Sequence, residues 1–309
     1  MFKSRRTFIS ILAVFLLMMA VATGVQAAGE GPTGFLPFVT LRVPDFQAVY
    51  DASAAKAHAQ ALADLGPRVR GTTVEEEAAE YVAAEMESYG LAVEVEDFTF
   101  TDSSLAPSSR SSQTVVGTLE GREPDAGVIY IGAHYDSVPG SPGGNDNGSG
   151  LGTLLEVARV MADLRWPPLT TVKFLAFGAE EGGLYGSRAY VSAHADELDE
   201  AVGMINLDMV GVGDYMSLGT IGVAGTELRD DAGQVATSLG YVWYPFVAED
   251  DSDHAPFERA GVQALFLFQY DDPYYHSSND TADRLDLEVM QRHGILAAEV
   301  LYRWASLAN

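Results

Sequence analysis

Ile129 to Gly152 reads IYIGAHYDSVPGSPGGNDNGSGLG, and the class of fold can be read from its punctuation. The apolar run Val128 to Ala133 has the length and composition of a buried strand. It ends at His134, with Asp136 two residues on. A loop rich in Gly and Pro then carries Asp146, and a helical pattern begins near Ser149. A strand thus delivers a possible ligand pair, a loop delivers a further carboxylate, and a helix closes the unit. Loops after strands are where α/β proteins place chemistry. A single His-x-Asp pair carries little weight alone. Here three later apolar runs also lead to candidate ligands.

Toward the N-terminus, Gln47 to Leu65 has a helical pattern. Thr73-Val74-Glu75-Glu76 reads as a capping box opening a second helix, with Val74, Ala78, Val82, Met86 and Tyr89 as its apolar face and Gly90 as its stop. Val93 to Phe100 alternates as a half-buried strand does, and Gln113 to Leu119 reads as another, with a polar loop, Asp102 to Ser112, between them. Toward the C-terminus, Leu151, Leu154, Leu155, Ala158, Met161 and Ala162 mark a helix that stops before Trp166-Pro167-Pro168. Val172 to Phe177, Val202 to Leu207, Val242 to Val247 and Ala264 to Phe268 read as strands. Ser187 to Ala193, Glu227 to Leu239 and Asp286 to Leu307 read as helices. This alternation predicts an α/β fold: a three-layer sandwich with a mixed, mostly parallel central sheet and helices on both faces.

Of the 309 residues, the first 27 have a basic start, an apolar core from Ile9 to Val21 and a small-residue site at Val25-Gln26-Ala27, as an export signal does. Ser4-Arg5-Arg6-Thr7-Phe8-Ile9 resembles a twin-arginine signal, with the general secretory route as the other reading. The expectation is an exported protein with no stable membrane association after signal removal. Residues 28–45 read as an extended start, and residues 28–309 as a single domain. The leading segment holds Lys3, Arg5 and Arg6 and no acid, so the remainder has 15 basic against 44 acidic residues, a formal charge of −29. Such a surface excludes nucleic acid and anionic membrane as partners. It fits a high-salt habitat or a solubility strategy. With no cysteine, any metal must be held by His, Asp or Glu, which suits a hard or borderline ion such as zinc.

Five residues at strand ends can converge: His134, Asp146, Glu181, Asp208 and His276. Two imidazoles and three carboxylates are the right set for two zinc ions sharing one carboxylate, and such a pair can hold a bridging hydroxide and polarise a carbonyl. Asp136 is placed to accept the other ring N–H of His134. Glu180 beside Glu181 would be a repulsive pair unless one ligates a metal and the other stays free to shuttle protons. His58, His194 and His293 lie in helical patterns and read as structural. The Gly-rich loop Gly140 to Gly152 lacks the lysine of a phosphate cradle.

HYDS at 134–137, GGNDNGSG at 143–150, GAEEGGLYGS at 178–187, INLDMVG at 205–211 and YYHSSND at 274–280 resemble, in order and spacing, the M28 family of zinc peptidases, typified by bacterial leucyl-type aminopeptidases. The resemblance covers roughly residues 50–305. It implies that His134 and Asp208 hold one zinc, Glu181 and His276 the other, and that Asp146 bridges them. It implies Glu180 as general base and Tyr275 as a hydrogen-bond donor to the oxyanion. Ser252-Asp253-His254-Ala255-Pro256-Phe257 resembles a family segment beside the substrate pocket, which makes Asp253 and His254 candidates for substrate contact. The implied activity is removal of single residues from peptides with a free N-terminus.

Glutaminyl-peptide cyclases share this fold and most of these ligands. Tyr275 stands where they resemble Trp-His, which favours the peptidase. A catalytically inactive binding protein of the same fold would have lost a ligand or the base, and none is missing. A carboxypeptidase of the related M20 type would need a further domain for which the chain has no room.

Overall fold

The computed structural model describes residues 43–164 and 167–306, so the expectations for residues 1–27 and for the stretch from 28 to 42 lie outside the described residues. The chain runs α1 (Phe46–Val49), α2 (Ala52–Asp64), α3 (Thr73–Ser88), β1 (Ala92–Thr101), β2 (Ser109–Leu119), β3 (Val128–His134) and α4 (Gly148–Ala162). It continues β4 (Thr171–Phe177), α5 (Tyr185–Ala193), α6 (Ala195–Leu198), β5 (Ala201–Asp208), β6 (Met216–Thr220) and α7 (Glu227–Ser238). Last come β7 (Trp243–Val247), α8 (His254–Arg259), β8 (Ala264–Phe268) and α9 (Leu287–Ser306).

The strands form one sheet in the order β1-β2-β4-β3-β5-β8-β6-β7. Its centre, β4-β3-β5-β8, is parallel throughout. Antiparallel pairings occur at β1/β2, β2/β4 and β6/β8. The sheet is mixed and mostly parallel, as the apolar strand runs imply. Alternation along the central strands sorts their side chains into two cores. Ile129, Ile131, Phe174, Ala176, Ile205 and Leu207 pack with α2, α3, α4, α7 and α9. Tyr130, Leu175, Phe177 and Met204 pack with Tyr190 of α5 and Phe257 of α8 on the other side. Those two cores make three layers, and they explain why β3 has no polar face. Among the described residues no helix is long and apolar enough to cross a membrane.

Several boundaries differ from the sequence reading for local reasons. The first expected helix is two, because Asp51 takes an extended conformation and caps α2 through the Ser53 amide. The capping box starts one residue early: Thr72 caps α3 by accepting from the Glu75 amide, while Glu75 accepts from the Gly71 amide. Neither β6 nor α8 gives a sequence signal, since MSLGT is short and glycine-bearing and α8 is a six-residue helix behind a polar loop.

Helix α4 lies so close to α2 that a Cβ at Gly152 would stand 2.2 Å from the Ala55 carbonyl oxygen. Alanine favours a helix interior over glycine by about 1 kcal/mol, but backbone must separate to admit it. Gly152→Ala is therefore expected to destabilise the protein, by roughly 1–3 kcal/mol net, measured as a lowered urea midpoint at unchanged m-value. A raised midpoint would show that the helices separate freely here.

Candidate metal centre

The sequential order of strands reverses around β3: β4 lies on one side of it and β5 on the other. At such a switch point the loops after the two strands part and leave a crevice at the carboxyl edge. His134 is the last residue of β3 and Asp208 the last of β5. Asp146 arrives on the loop ahead of α4, Glu180 and Glu181 on the turn after β4, and His276 on the loop after β8.

All five expected ligands come together, in two overlapping groups. His134, Asp146 and Asp208 form one, and Asp146, Glu181 and His276 the other, with ligand atoms inside each group within 4.8 Å of one another. The two oxygens of Asp146 divide between them. Oδ1 is 3.4 Å from His134 Nε2, and Oδ2 is 3.1 Å from His276 Nε2. Asp208 Oδ1 stands 3.6 Å from His134 Nε2, and Glu181 Oε2 stands 3.0 Å from His276 Nε2. Ligands 2.0–2.1 Å from a tetrahedral ion stand about 3.3 Å apart, so these spacings fit a shared cation. Buried Glu181 Oε1 and Asp208 Oδ1 have no hydrogen-bond donor among the described residues, as free metal ligands should not.

The electrostatics agree. Burial alone would lower the His134 pKa, but the carboxylates of Glu180, Asp136, Asp146 and Asp208 outweigh it and hold the ring well above its ordinary value. Hydrogen bonds to Asp146 and Glu181 carry His276 up to about 10. Burial, with the Asp146 charge, pushes Glu181 to about 7. Glu180 is driven well above the ordinary carboxyl range by burial, with the charges of Asp253, Asp208 and Glu181 adding to it. Protons occupy the places a cation would take.

The framework around the ligands is largely hydrogen bonding by acids and amides. Asp136 Oδ1 lies 3.4 Å from His134 Nδ1, longer than a firm hydrogen bond. Its firmer contacts are to the next loop: Oδ1 accepts from the Glu180 amide at 2.9 Å and Oδ2 from the Glu181 amide at 3.2 Å. Asp280, which the sequence reading passed over, accepts from the amides of Asn145 and Asp146 at 2.6 and 3.1 Å. Asn147 Oδ1 accepts from the Gly150 and Met209 amides, so one side chain caps α4 and ties it to the Asp208 loop. Ala179, Met209 and His276 are non-glycine residues at φ 55°, 53° and 55°, each at or beside a ligand-bearing turn. Such conformations cost on the order of 1–3 kcal/mol each and persist where surroundings dictate them. Asp280→Asn, which turns one of two acceptors into a donor, is expected to weaken divalent-ion affinity about 10–100-fold, measured by chelator competition. Unchanged affinity would mean that the loop needs no anchor.

A cavity of about 370 Å³ opens onto the cluster, with Met209, Phe266, Phe268, Tyr270 and Tyr275 on its wall and Glu180 among its lining. The Tyr275 ring stacks on that of His276 at 3.8 Å, and burial with the nearby carboxylates holds its phenol above the ordinary value. Asp253 and His254 require a correction. Both are fully buried and absent from the wall, so neither can touch a ligand in the cavity. The His254 ring stacks on Phe266 and donates from Nε2 to the Glu249 carbonyl, and Asp253, near Glu180 and Asp208, is pushed to about 7 by burial. The working residue of that segment is Ser252, whose Oγ donates to Asp208 Oδ2 at 2.7 Å. The three helical histidines behave structurally: His58 meets Tyr81, His194 meets Glu96 and His293 meets the Val289 carbonyl.

Comparison with known proteins follows the same lines. Residues 114–301 match the model of peptidase family M28. Aminopeptidase YwaD of Bacillus subtilis is 33% identical over 208 residues, 63% of this chain and 45% of that protein. The chain spans about half the length of the curated relatives it matches. In fold it resembles a zinc aminopeptidase from Bacillus subtilis (TM-score 0.76, 21% identity, 85% of this chain and 96% of that one). It also resembles Porphyromonas gingivalis glutaminyl cyclase (TM-score 0.71, 20% identity, 82% and 98%). With the matched segment running from within β2 into α9 and carrying every residue of the cluster, the chain belongs to peptidase family M28.

Proposed function

We propose that the chain is an exported zinc aminopeptidase that hydrolyses the first peptide bond of peptides with a free N-terminus. The observation that carries this reading is the pair of ligand groups sharing Asp146, with Glu180 left over beside them. The names of the relatives support it. Two zinc ions per chain would be held by His134, Asp146 and Asp208, and by Asp146, Glu181 and His276. When bound, such ions lower the pKa of a water and polarise a carbonyl oxygen. Export rests on the signal-like segment at residues 1–27, and residues 28–309 are taken as one catalytic domain.

The chain's own groups supply the rest. Glu180 Oε2, 4.0 Å from His134 Nε2, is placed to take a proton from the attacking water and return it to the leaving amine. Asp136 fixes the backbone of Glu180 and Glu181 and so holds base and ligand in register. Tyr275, kept protonated by its surroundings, donates to the developing oxyanion. The carboxylates around the cluster attract the substrate's α-ammonium group.

The test is release of p-nitroaniline from leucyl and lysyl p-nitroanilides by the exported protein, with zinc content measured alongside. Cleavage with zinc near two per chain is expected. Zinc without cleavage, accompanied by cyclisation of glutaminyl substrates, would replace the peptidase with a cyclase. Absence of zinc would sink both readings.

A further inference from the structure

Besides Glu180, two carboxylates on the cavity wall belong to neither ligand group, Asp251 and Asp272. Asp272 is occupied: Oδ2 accepts from Asn145 Nδ2 and Oδ1 from the Tyr274 amide, both at 2.8 Å. Asp250, next along the chain, pairs with Arg259 at 2.9 Å. Among the described residues no side chain donates to the Asp251 carboxylate. Its position is nonetheless fixed, because the adjacent Ser252 is bonded to Asp208. An unpaired carboxylate therefore faces a cavity whose other wall residues include Phe266, Phe268 and Tyr270.

Charge points the same way. Six carboxylates line the cavity: Asp146, Glu180, Glu181, Asp208, Asp251 and Asp272. Two divalent ions would leave two negative charges, and a substrate's α-ammonium offsets one. A leucyl side chain would strip water from Asp251 and give nothing back, leaving a charge desolvated without a partner. A lysyl or arginyl side chain instead lays its methylene stem on the aromatic wall and carries its charged head to the carboxylate.

We propose that Asp251 is a specificity-determining residue that receives the charged head of a lysyl or arginyl N-terminal residue, so that this chain prefers peptides beginning with a basic residue. The inference rests on the aminopeptidase reading, and binding separates the two. Zinc-loaded Glu180→Gln protein, titrated calorimetrically, is expected to bind lysinamide at least tenfold more tightly than leucinamide. Adding Asp251→Asn should remove that preference, and Asp251→Lys should transfer it to the α-amide of glutamic acid. Melting temperatures near the parent's would confirm that these exposed-site variants fold. Equal affinity for the two amides, or a lysyl preference that survives Asp251→Asn, overturns the proposal. So does equal weakening of both amides, which would assign Asp251 to the α-amine. Lysinamide preference in a wild type that cleaves neither p-nitroanilide would leave Asp251 in this role and overturn the peptidase reading instead. Cleavage with leucyl preferred over lysyl would overturn this inference alone.

Discussion

Glu180→Gln is expected to lower kcat by about 10³-fold, within the 10²–10⁴ that a positioned general base contributes, with zinc content unchanged. The substitution keeps the volume and planar shape of the side chain and removes its capacity to take a proton. The Glu180 amide stays bonded to Asp136, so the turn carrying Glu181 keeps its place. Burial and three neighbouring carboxylates already penalise the charge on Glu180, so deleting it should make the metal-free protein more stable. Activity and stability are thus expected to move in opposite directions, as they should where function holds a group in an unfavourable setting. Measurement of kcat and zinc on one preparation decides the matter. A loss of zinc together with activity would make Glu180 a ligand, and undiminished kcat would place the base elsewhere.

The convergence of His134, Asp146, Glu181 and Asp208 was legible because each closes an apolar run or sits in a Gly-rich turn after one, and such turns in an α/β chain open at one edge of the sheet, whereas His276, in a polar loop without glycine, was marked by the YYHSSND motif. The supports were not. Asp280 follows His276 by four residues in a polar loop, where nothing marks an acid that turns back onto the Asn145 and Asp146 amides. Arg68 lies fully buried beneath the β3 loop and donates to the carbonyls of Leu62, Tyr135, Pro142 and Gly143, with burial drawing it down to about 10. In sequence it is only the cation of a short Gly-Pro-Arg stretch. Glu75 reads as a helix cap, yet its other oxygen accepts from Ser112 and from the amide of Ala179, just ahead of Glu180. Pairings across 37 and 104 residues leave no local trace. Asp253 and His254 were misread for a related reason: proximity in sequence to a pocket does not tell which residues of a short helical turn face it. Ser252 faces the ligand and the next two face the core.

Removal of metal should reverse the sign of the protein's pH dependence. In the metal-free protein Glu181 and Asp253 sit near 7 and Asp280 near 6, each raised chiefly by burial from ordinary values near 4. A carboxyl with a raised native pKa binds more protons folded than unfolded between those two values. Unfolding free energy there falls as pH rises. His276, raised to about 10 by its carboxylate partners, acts in the same direction: its contribution is complete below its unfolded value and fades as pH climbs toward 10. Asp146, lowered to about 2 by the two imidazoles, works oppositely but only below pH 4. A tenfold difference in proton affinity between the folded and unfolded chain is worth about 1.4 kcal/mol. The buried carboxyls should therefore make the chelated protein more stable at pH 5.5 than at pH 8, by an amount on the order of several kcal/mol, with half-exposed His276 adding less because solvent screens it. With zinc bound the slope inverts, because protons then compete with the ion for the same oxygens and ring nitrogens. Thermal unfolding at the two pH values, with zinc and with chelator, should give curves that cross: Tm rising on acidification without metal and falling with it. A chelated protein whose Tm is flat across that range would show that the carboxylate cluster is not under charge strain, and with it would go the argument that two cations belong there.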